Sequence, residues 1–156
     1  MDTKKLYTFI QKAASATYAG GGAYEKSPER PGFMELVYDE GDFSYRDSYA
    51  GYYRSAGSEV VRHRGKIVWI ASYCGGMVAG SEELADKTFD FLKRAMRARP
   101  ENGQFFRGPA HFAIEQWHYI YEQKGDVISF YGHEEIWYRE NPVFSHDVIG
   151  GTITGK

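Results

Sequence analysis

The sequence contains one cysteine, Cys74, so it cannot form an intramolecular disulfide. A single thiol also excludes a zinc cluster built from several cysteines. Chains without a disulfide framework are typical of reducing compartments, and we expect a cytoplasmic protein. The sequence also lacks an apolar run near the ~20 residues that span a bilayer, and its N-terminal segment lacks a signal-peptide core. We therefore predict no membrane association.

Neither sign of charge is in large excess. The 19 basic and 21 acidic residues give a formal net charge of -2. Nucleic acids and anionic membranes bind a concentrated basic surface, which this balance does not indicate. The basic residues Lys93, Arg94, Arg97 and Arg99 lie near the end of a predicted helix, where the helix dipole favours them. We expect most of them to be solvated, and we predict no direct nucleic-acid partner.

Complete cofactor and metal motifs are missing as well. The five histidines show no zinc-ligand spacing, which leaves open only a metal site assembled from distant residues. Residues 20–22 are three glycines, but they follow a predicted helix, and no Lys-Ser/Thr pair follows them as in a phosphate-binding loop. We therefore predict a helix end at these glycines, and neither a metal nor a cofactor.

Aromatic residues, in contrast, are abundant. They make up 17% of the chain and include 13 tyrosines, a residue that favours strands and half-exposed surfaces. A chain of 156 residues is long enough for one hydrophobic core, and it contains no low-complexity linker or internal repeat. We expect residues 1–156 to form a single domain.

Hydrophobic spacing indicates two helices and several strands. Apolar residues recur at helical spacing from Asp2 or Thr3 to Thr17, and again between Ser81 and Pro100. The strands predicted from alternating or short apolar runs cover residues 33–39, 43–54, 58–64, 66–74, 117–122, 127–138 and 143–154. We predict an α+β fold, a curved and mostly antiparallel sheet or partial barrel of six to eight strands with two packed helices.

Alternation within the strand predicted at residues 44–54 separates two faces. One face carries Tyr45, Asp47, Tyr49, Gly51 and Tyr53. Tyrosines around an aspartate suit a cationic or aromatic ligand, and the glycine leaves space for close approach. A core face in which the tyrosine hydroxyls reach the rim and the aspartate fixes a turn is equally consistent with this pattern.

A hairpin turn is predicted at residues 64–65, which pairs Val61 with Val68 and Glu59 with Ile70. Glu59 then lies on an apolar face, where it must be ion-paired or have a perturbed pKa. Its candidate partners are Arg46, Arg62 and Arg107. A structural ion pair, a ligand anchor and a general base all remain open for Glu59.

The Arg107-Gly108-Pro109 segment presents an arginine in a constrained loop. Such an arginine can hold a ligand carboxylate or phosphate by a bidentate contact. It can equally pair with Asp47 or Glu59 inside the protein.

Five stretches of the sequence resemble one known family. They cover residues 38–53, 55–61, 69 with 72–73, 106–109 and 149–151. Together they resemble a bacterial family called domain of unknown function 5680, from residue 18 onward. Members of that family occur alone or behind a helix-turn-helix DNA-binding domain, which implies a sensing or regulatory role. The chain resembles the stand-alone form, so the resemblance does not imply direct DNA binding.

Three functions are consistent with these patterns. The first, which we favour, is small-molecule binding or sensing in a pocket between the curved sheet and a helix. Its walls would be Tyr45, Tyr49 and Trp69, its polar anchors Asp47 and Glu59, with Arg107 at the mouth. The second is an enzyme, a hydrolase or isomerase with Glu59 or Glu134 as general base. The third is a protein-interaction or homodimerisation module that presents exposed tyrosines.

Overall fold

A computed structural model describes residues 2–100 and 105–155 and has the α+β architecture that the sequence predicts. The helices are α1 (Thr3–Ala16) and α2 (Ala85–Arg97), and the strands are β1 (Met34–Glu40), β2 (Phe43–Gly51), β3 (Arg54–His63), β4 (Lys66–Met77), β5 (His111–Ile114), β6 (Trp117–Gly125), β7 (Ser129–Tyr138) and β8 (Asn141–Thr152). The eight strands form one sheet in the order β1-β2-β3-β4-β8-β7-β6-β5, and every neighbouring pair is antiparallel. The curved sheet with two packed helices is thus confirmed. Among the described residues, no helix is long and apolar enough to cross a membrane.

Helix α1 covers the β1–β2 end of the sheet. The Asp2 side chain caps it by accepting hydrogen bonds from the backbone N–H groups of Lys4 and Lys5. Its apolar stripe is buried, and Phe9 stacks on Phe43 of β2 with ring centroids 4.9 Å apart. The helix ends at Ala16, just before the glycines that the sequence indicates as its boundary.

Helix α2 covers the other half of the sheet. It begins at Ala85, after a 3-10 turn at Glu82–Leu84, so the helix starts later than the predicted Ser81. It ends at Arg97, shortly before Pro100. Phe91 packs on Phe112 of β5 and Trp117 of β6, with ring centroids 5.6 Å away in both cases. Sequence reasoning missed β5, which has only four residues.

The strand predicted at residues 43–54 is correct as far as Gly51 and wrong beyond it. The chain reverses at residues 52–53, Gly51 pairs with Ser55, and β3 continues through Gly57. Gly51 has φ 98°, and a Cβ there would lie 2.0 Å from the Arg54 carbonyl oxygen, so the turn requires glycine. Tyr53 is therefore half exposed beyond the strand and does not share the inner face.

The turn predicted at residues 64–65 is confirmed, but the register beyond it is not. Positive φ angles at Arg64 and Gly65 form the turn. The ladder then shifts by one residue, so that Val61 pairs with Trp69 and not with Val68. The extra residue in β4 is a β-bulge, and it turns the side chains of Trp69, Ala71 and Tyr73 inward. By the same shift, Glu59 pairs with Ala71 where the sequence pattern predicts Ile70.

An aromatic cluster positions the segment before β5. Phe106 stacks on Phe130 of β7 with centroids 4.3 Å apart, and Phe130 in turn stacks on Trp69 at 6.0 Å. The Arg99 guanidinium donates hydrogen bonds to the carbonyl oxygens of Phe106 and Arg107, at 3.2 and 3.3 Å. These contacts hold the backbone of Arg107 against the inner face of the sheet.

Candidate functional site

A cavity of about 210 Å³ lies between the inner face of the sheet, the end of α1 and the side of α2. Acidic, tyrosine and large apolar side chains share its wall. The lining residues are Ala14, Thr17, Tyr18, Tyr24, Met34, Tyr45, Asp47, Tyr49, Gly51, Tyr52, Ser55, Glu59, Tyr73, Phe89, Leu92, Lys93, Met96, Arg107, Phe144 and His146.

Two buried carboxylates face each other on the cavity wall. Asp47 of β2 is the direct cross-strand partner of Glu59 of β3, and the two residues are only 4% and 7% exposed. Burial raises the pKa of Asp47 to about 7, and the negative charge of Glu59 adds to this effect. Burial also raises the pKa of Glu59, although the Arg107 guanidinium opposes the increase. The acid pair, Asp47 with Glu59, therefore binds protons more tightly than ordinary carboxylates do.

Tyr73 fixes the orientation of Asp47. Its hydroxyl donates a hydrogen bond to Asp47 Oδ1 at 2.7 Å. The tyrosine ring passes directly over Gly57, where a Cβ would lie 2.5 Å from Tyr73 Oη and 2.6 Å from the Tyr49 Cβ. Gly57 thus allows two cavity tyrosines to approach the backbone of β3 from either side.

Arg107 is buried beneath the cavity, although sequence reasoning places it at the mouth. Its Nε and Nη2 groups donate to Glu134 Oε1 at 3.1 and 2.6 Å. Its Nη1 lies 3.6 Å from Glu59 Oε1, which is an ion-pair distance but too long for a strong hydrogen bond. The positive charge of Arg107 therefore neutralises mainly the charge of Glu134, and that of Glu59 to a smaller extent.

Glu134 of β7 is ionised at neutral pH, because its pKa is lowered. It is fully buried, and burial alone would raise its pKa, but Arg107 and His146 lower that pKa to about 2. The Tyr119 hydroxyl donates to its second oxygen at 2.7 Å and accepts from the Gly108 backbone N–H at 2.9 Å. Because its oxygens are occupied by these donors, Glu134 serves to hold Arg107 in place.

His146 of β8 closes one side of the cavity. Its ring lies 4.6 Å from the Phe144 ring centroid and 5.6 Å from that of Tyr73. Its Nε2 is 3.2 Å from Ser55 Oγ, and its Nδ1 is 3.4 Å from Glu134 Oε1. Within the described part of the chain, no group meets this Nδ1 in hydrogen-bonding geometry.

Tyrosine rings form the outer wall. Tyr49 meets Tyr18 edge to face with centroids 6.2 Å apart, and its hydroxyl hydrogen-bonds that of Tyr24. Lys93 of α2 lies with its Nζ 5.3 Å from the centroid of the Tyr18 ring. Ring faces of this kind attract cations, so the wall suits a positively charged or aromatic guest.

The structure brings together most of the residues that the sequence indicates. Tyr45, Asp47, Tyr49, Glu59 and Arg107 all line the cavity. Trp69 does not line it: the indole is fully buried between Phe106 and Phe130 in the core. The bulge in β4 turns Trp69 to the inner face of the sheet. There Phe106 and Phe130 pack against the indole, so it forms part of the core and does not reach the cavity.

Sequence reasoning missed much of the cavity wall, including three polar residues, Tyr73, His146 and Lys93. Tyr73 reaches Asp47 only because of the β4 bulge. His146 reaches the cavity because β8 pairs with β4, a contact between distant parts of the chain. The sequence pattern predicts a solvated basic face that includes Lys93. However, Lys93 directly follows Leu92 and lies three residues before Met96, which places it at the edge of the buried stripe, and this spacing could have indicated a place on the cavity wall.

Comparison with known proteins identifies a family but no individual relative. No match was found among curated proteins or among solved structures. A family model matches residues 47–153, about two thirds of the chain, and the matched region includes both acids of the pair and Arg107. The chain therefore belongs to the family described as Domain of unknown function (DUF5680).

Proposed function

We propose that the protein binds a small cationic molecule in the cavity, with the positive charge beside the acid pair. The observation that carries this proposal is the excess of buried negative charge. Asp47, Glu59 and Glu134 are all buried, and the Arg107 guanidinium makes its shortest contact, 2.6 Å, to Glu134 and lies 3.6 Å from Glu59. No ion pair between described residues includes Asp47. A ligand cation would supply the missing positive charge.

The size and lining of the cavity narrow the class of ligand. Its volume of about 210 Å³ is below the ~300–1,000 Å³ typical of drug-sized ligands, so it suits a small metabolite. Phe89, Met96 and Phe144 supply an apolar wall, and the tyrosines supply ring faces and hydroxyls. This combination favours a primary or quaternary amine attached to a short apolar or aromatic body.

Acid–base catalysis is a second candidate function, favoured by one observation. A carboxyl group with a pKa of about 7 exchanges protons readily at neutral pH, and Asp47 has this property in an accessible cavity. Glu134 is disfavoured as a general base because its pKa is lowered to about 2. A bound substrate analogue with an exchangeable proton within hydrogen-bond reach of Asp47 would favour catalysis over binding alone.

The test is direct binding of small amines, measured by calorimetry and by thermal shift. The probes are a panel of primary and quaternary amines that includes benzylamine. A ligand that binds the folded state raises the melting temperature once its concentration exceeds the dissociation constant. We expect saturable binding at one site, and we expect Asp47→Asn to weaken it by about tenfold or more, since each ~1.4 kcal/mol is a factor of ten.

Asp90→Asn is the matched control, because Asp90 is an exposed aspartate on α2 outside the cavity lining. It should leave the dissociation constant unchanged. The proposal fails if no amine in the panel saturates, or if Asp47→Asn and Asp90→Asn bind equally well.

A further inference from the structure

Lys93 is a cation on the cavity wall, and its charge has no partner of opposite sign in residues 2–100 and 105–155. Its aliphatic stem runs along α2 beside the buried stripe, and the ammonium lies over the Tyr18 ring. Among the described residues, no ion pair or hydrogen bond involves this ammonium. Its neighbour Arg97, in contrast, donates to the Ala19 carbonyl oxygen at 2.6 Å, and Arg99 holds the Phe106 and Arg107 carbonyls.

The ammonium and the acid pair lie on different elements of the cavity wall, the ammonium on α2 and the acid pair on the β2–β3 ladder. Lys93 is partly buried, whereas Asp47 and Glu59 are buried. Tyr18 stands next to the ammonium and meets Tyr49 edge to face, and Tyr49 lies two residues along β2 from Asp47 on the same face. Two tyrosine rings in contact therefore connect the ammonium to the face of β2 that carries Asp47.

We infer that the ligand carries two opposite charges, an amine at the acid pair and a carboxylate at Lys93, on either side of a short apolar body. This inference rests on the proposed function and specifies its ligand class. A single ammonium, whose neighbour Arg97 is engaged by the Ala19 carbonyl oxygen, matches a monoanionic carboxylate better than a phosphate. The apolar body would lie against Met96 and Phe89, which line the wall near Lys93.

Three matched probes separate the two charges. Benzylamine has the amine alone, 4-methylbenzoate has the carboxylate alone, and 4-(aminomethyl)benzoate has both at opposite ends of one ring. Each is titrated into the wild-type chain, into Lys93→Gln and into Lys87→Gln. Lys87 is an exposed lysine on the same helix outside the cavity lining, so its variant makes the same change in net charge.

For the wild-type chain and Lys87→Gln, we expect 4-(aminomethyl)benzoate to bind about tenfold tighter than benzylamine, and 4-methylbenzoate to bind most weakly. In Lys93→Gln, 4-(aminomethyl)benzoate should bind no tighter than benzylamine, and the affinity for benzylamine should stay unchanged. The melting temperatures of the two lysine variants without ligand show that both fold.

The outcomes distinguish this inference from the proposed function. Binding of benzylamine without any gain from the carboxylate, or a gain that persists in Lys93→Gln, overturns the inference and leaves cation binding intact. Failure of every amine-containing probe to saturate overturns both. If the tighter binding of 4-(aminomethyl)benzoate is lost equally in Lys87→Gln, that tighter binding depends on net charge, and the inference is overturned as well.

Discussion

The carboxylate of Asp47 lies opposite that of Glu59, inside the protein and without a cation of its own among the described residues. Such a placement costs stability, because burial and like charge both oppose ionisation. The Tyr73 hydroxyl offsets this cost only in part. Perturbed carboxylates of this kind are common at functional sites, and for that reason the proposed function places the ligand beside this residue.

Stability should therefore rise when Asp47 is made neutral. Its pKa is raised from 3.8 to about 7. The stability that protonated Asp47 contributes is therefore fully present below about pH 4 and is lost as the pH rises to about 7. At pH 8 we expect Asp47→Asn to unfold with a free energy larger than that of the wild type by a few kcal/mol, on the order set by ~1.4 kcal/mol per pKa unit. Near pH 4 the two proteins should converge. Urea unfolding at both pH values measures the difference.

Glu134→Gln provides the contrasting control. The pKa of Glu134 is lowered to about 2, so its contribution is present above pH 4.5 and is lost as the pH falls toward 2. Removing this anion leaves Arg107 buried with Glu59 as its remaining partner, and we expect a loss of about 3–5 kcal/mol at pH 8. If Asp47→Asn also destabilised the protein at pH 8, Asp47 would be a structural residue.

Among the elements, the β3–β4 hairpin shows how far sequence alone leads. The turn follows from Arg64-Gly65, and the inward face of β2 follows from alternation, so Tyr45, Asp47 and Tyr49 could be grouped correctly. The bulge at Val68 could not be foreseen, because residues 67–71 are apolar on both faces and alternation does not prefer one register. Tyr73 was missed for this reason.

The β2–β3 hairpin was placed incorrectly for a related reason. The turn residues Tyr52 and Tyr53 lack the Asn-Gly type of signal, whereas Gly57 resembles a strand break. The structure shows instead that Gly57 lies within β3, because Tyr49 and Tyr73 flank it too closely for a side chain. A glycine in a strand can therefore mark a ligand wall as well as a turn.

Substitution of Gly57 tests this role. In Gly57→Ala the new methyl group must displace Tyr73 or Tyr49, at a cost of about 1–3 kcal/mol for overpacking. Because Tyr73 orients Asp47, we also expect the affinity for benzylamine to fall. Gly132→Ala is the control: its Cβ would lie 2.4 Å from Tyr121 Oη, and neither residue lines the cavity. Unfolding and binding are measured on both variants, and equal losses of affinity would contradict a specific role for Gly57.

In the whole molecule, two meanders of four strands meet at the β4–β8 ladder. The first supplies the acid pair and Tyr73, and the second supplies Glu134 and His146. Local patterns predict part of each meander, without the β2–β3 turn and β5, but the pairing of the two meanders brings together residues that are distant in sequence. The approach of Arg107 to Glu59 and the position of His146 beside Ser55 join the two meanders, and no local pattern in the sequence indicates them.

Proton linkage connects the whole cavity to ligand binding. A cation beside the acid pair favours the ionised form of Asp47, so binding must release the proton that Asp47 holds below about pH 7. For benzylamine we expect the affinity to rise with pH, by at most about tenfold per unit below pH 7, and to level off above it. Calorimetry in buffers of different ionisation enthalpy measures the released proton.

Glu59, Arg107 and His146 also face the cavity, and Asp47→Asn retains all three, so the pH dependence that disappears in this variant belongs to Asp47. An affinity that stays constant or falls between pH 5 and pH 8 in the wild-type chain would show that the cation does not bind at the acid pair.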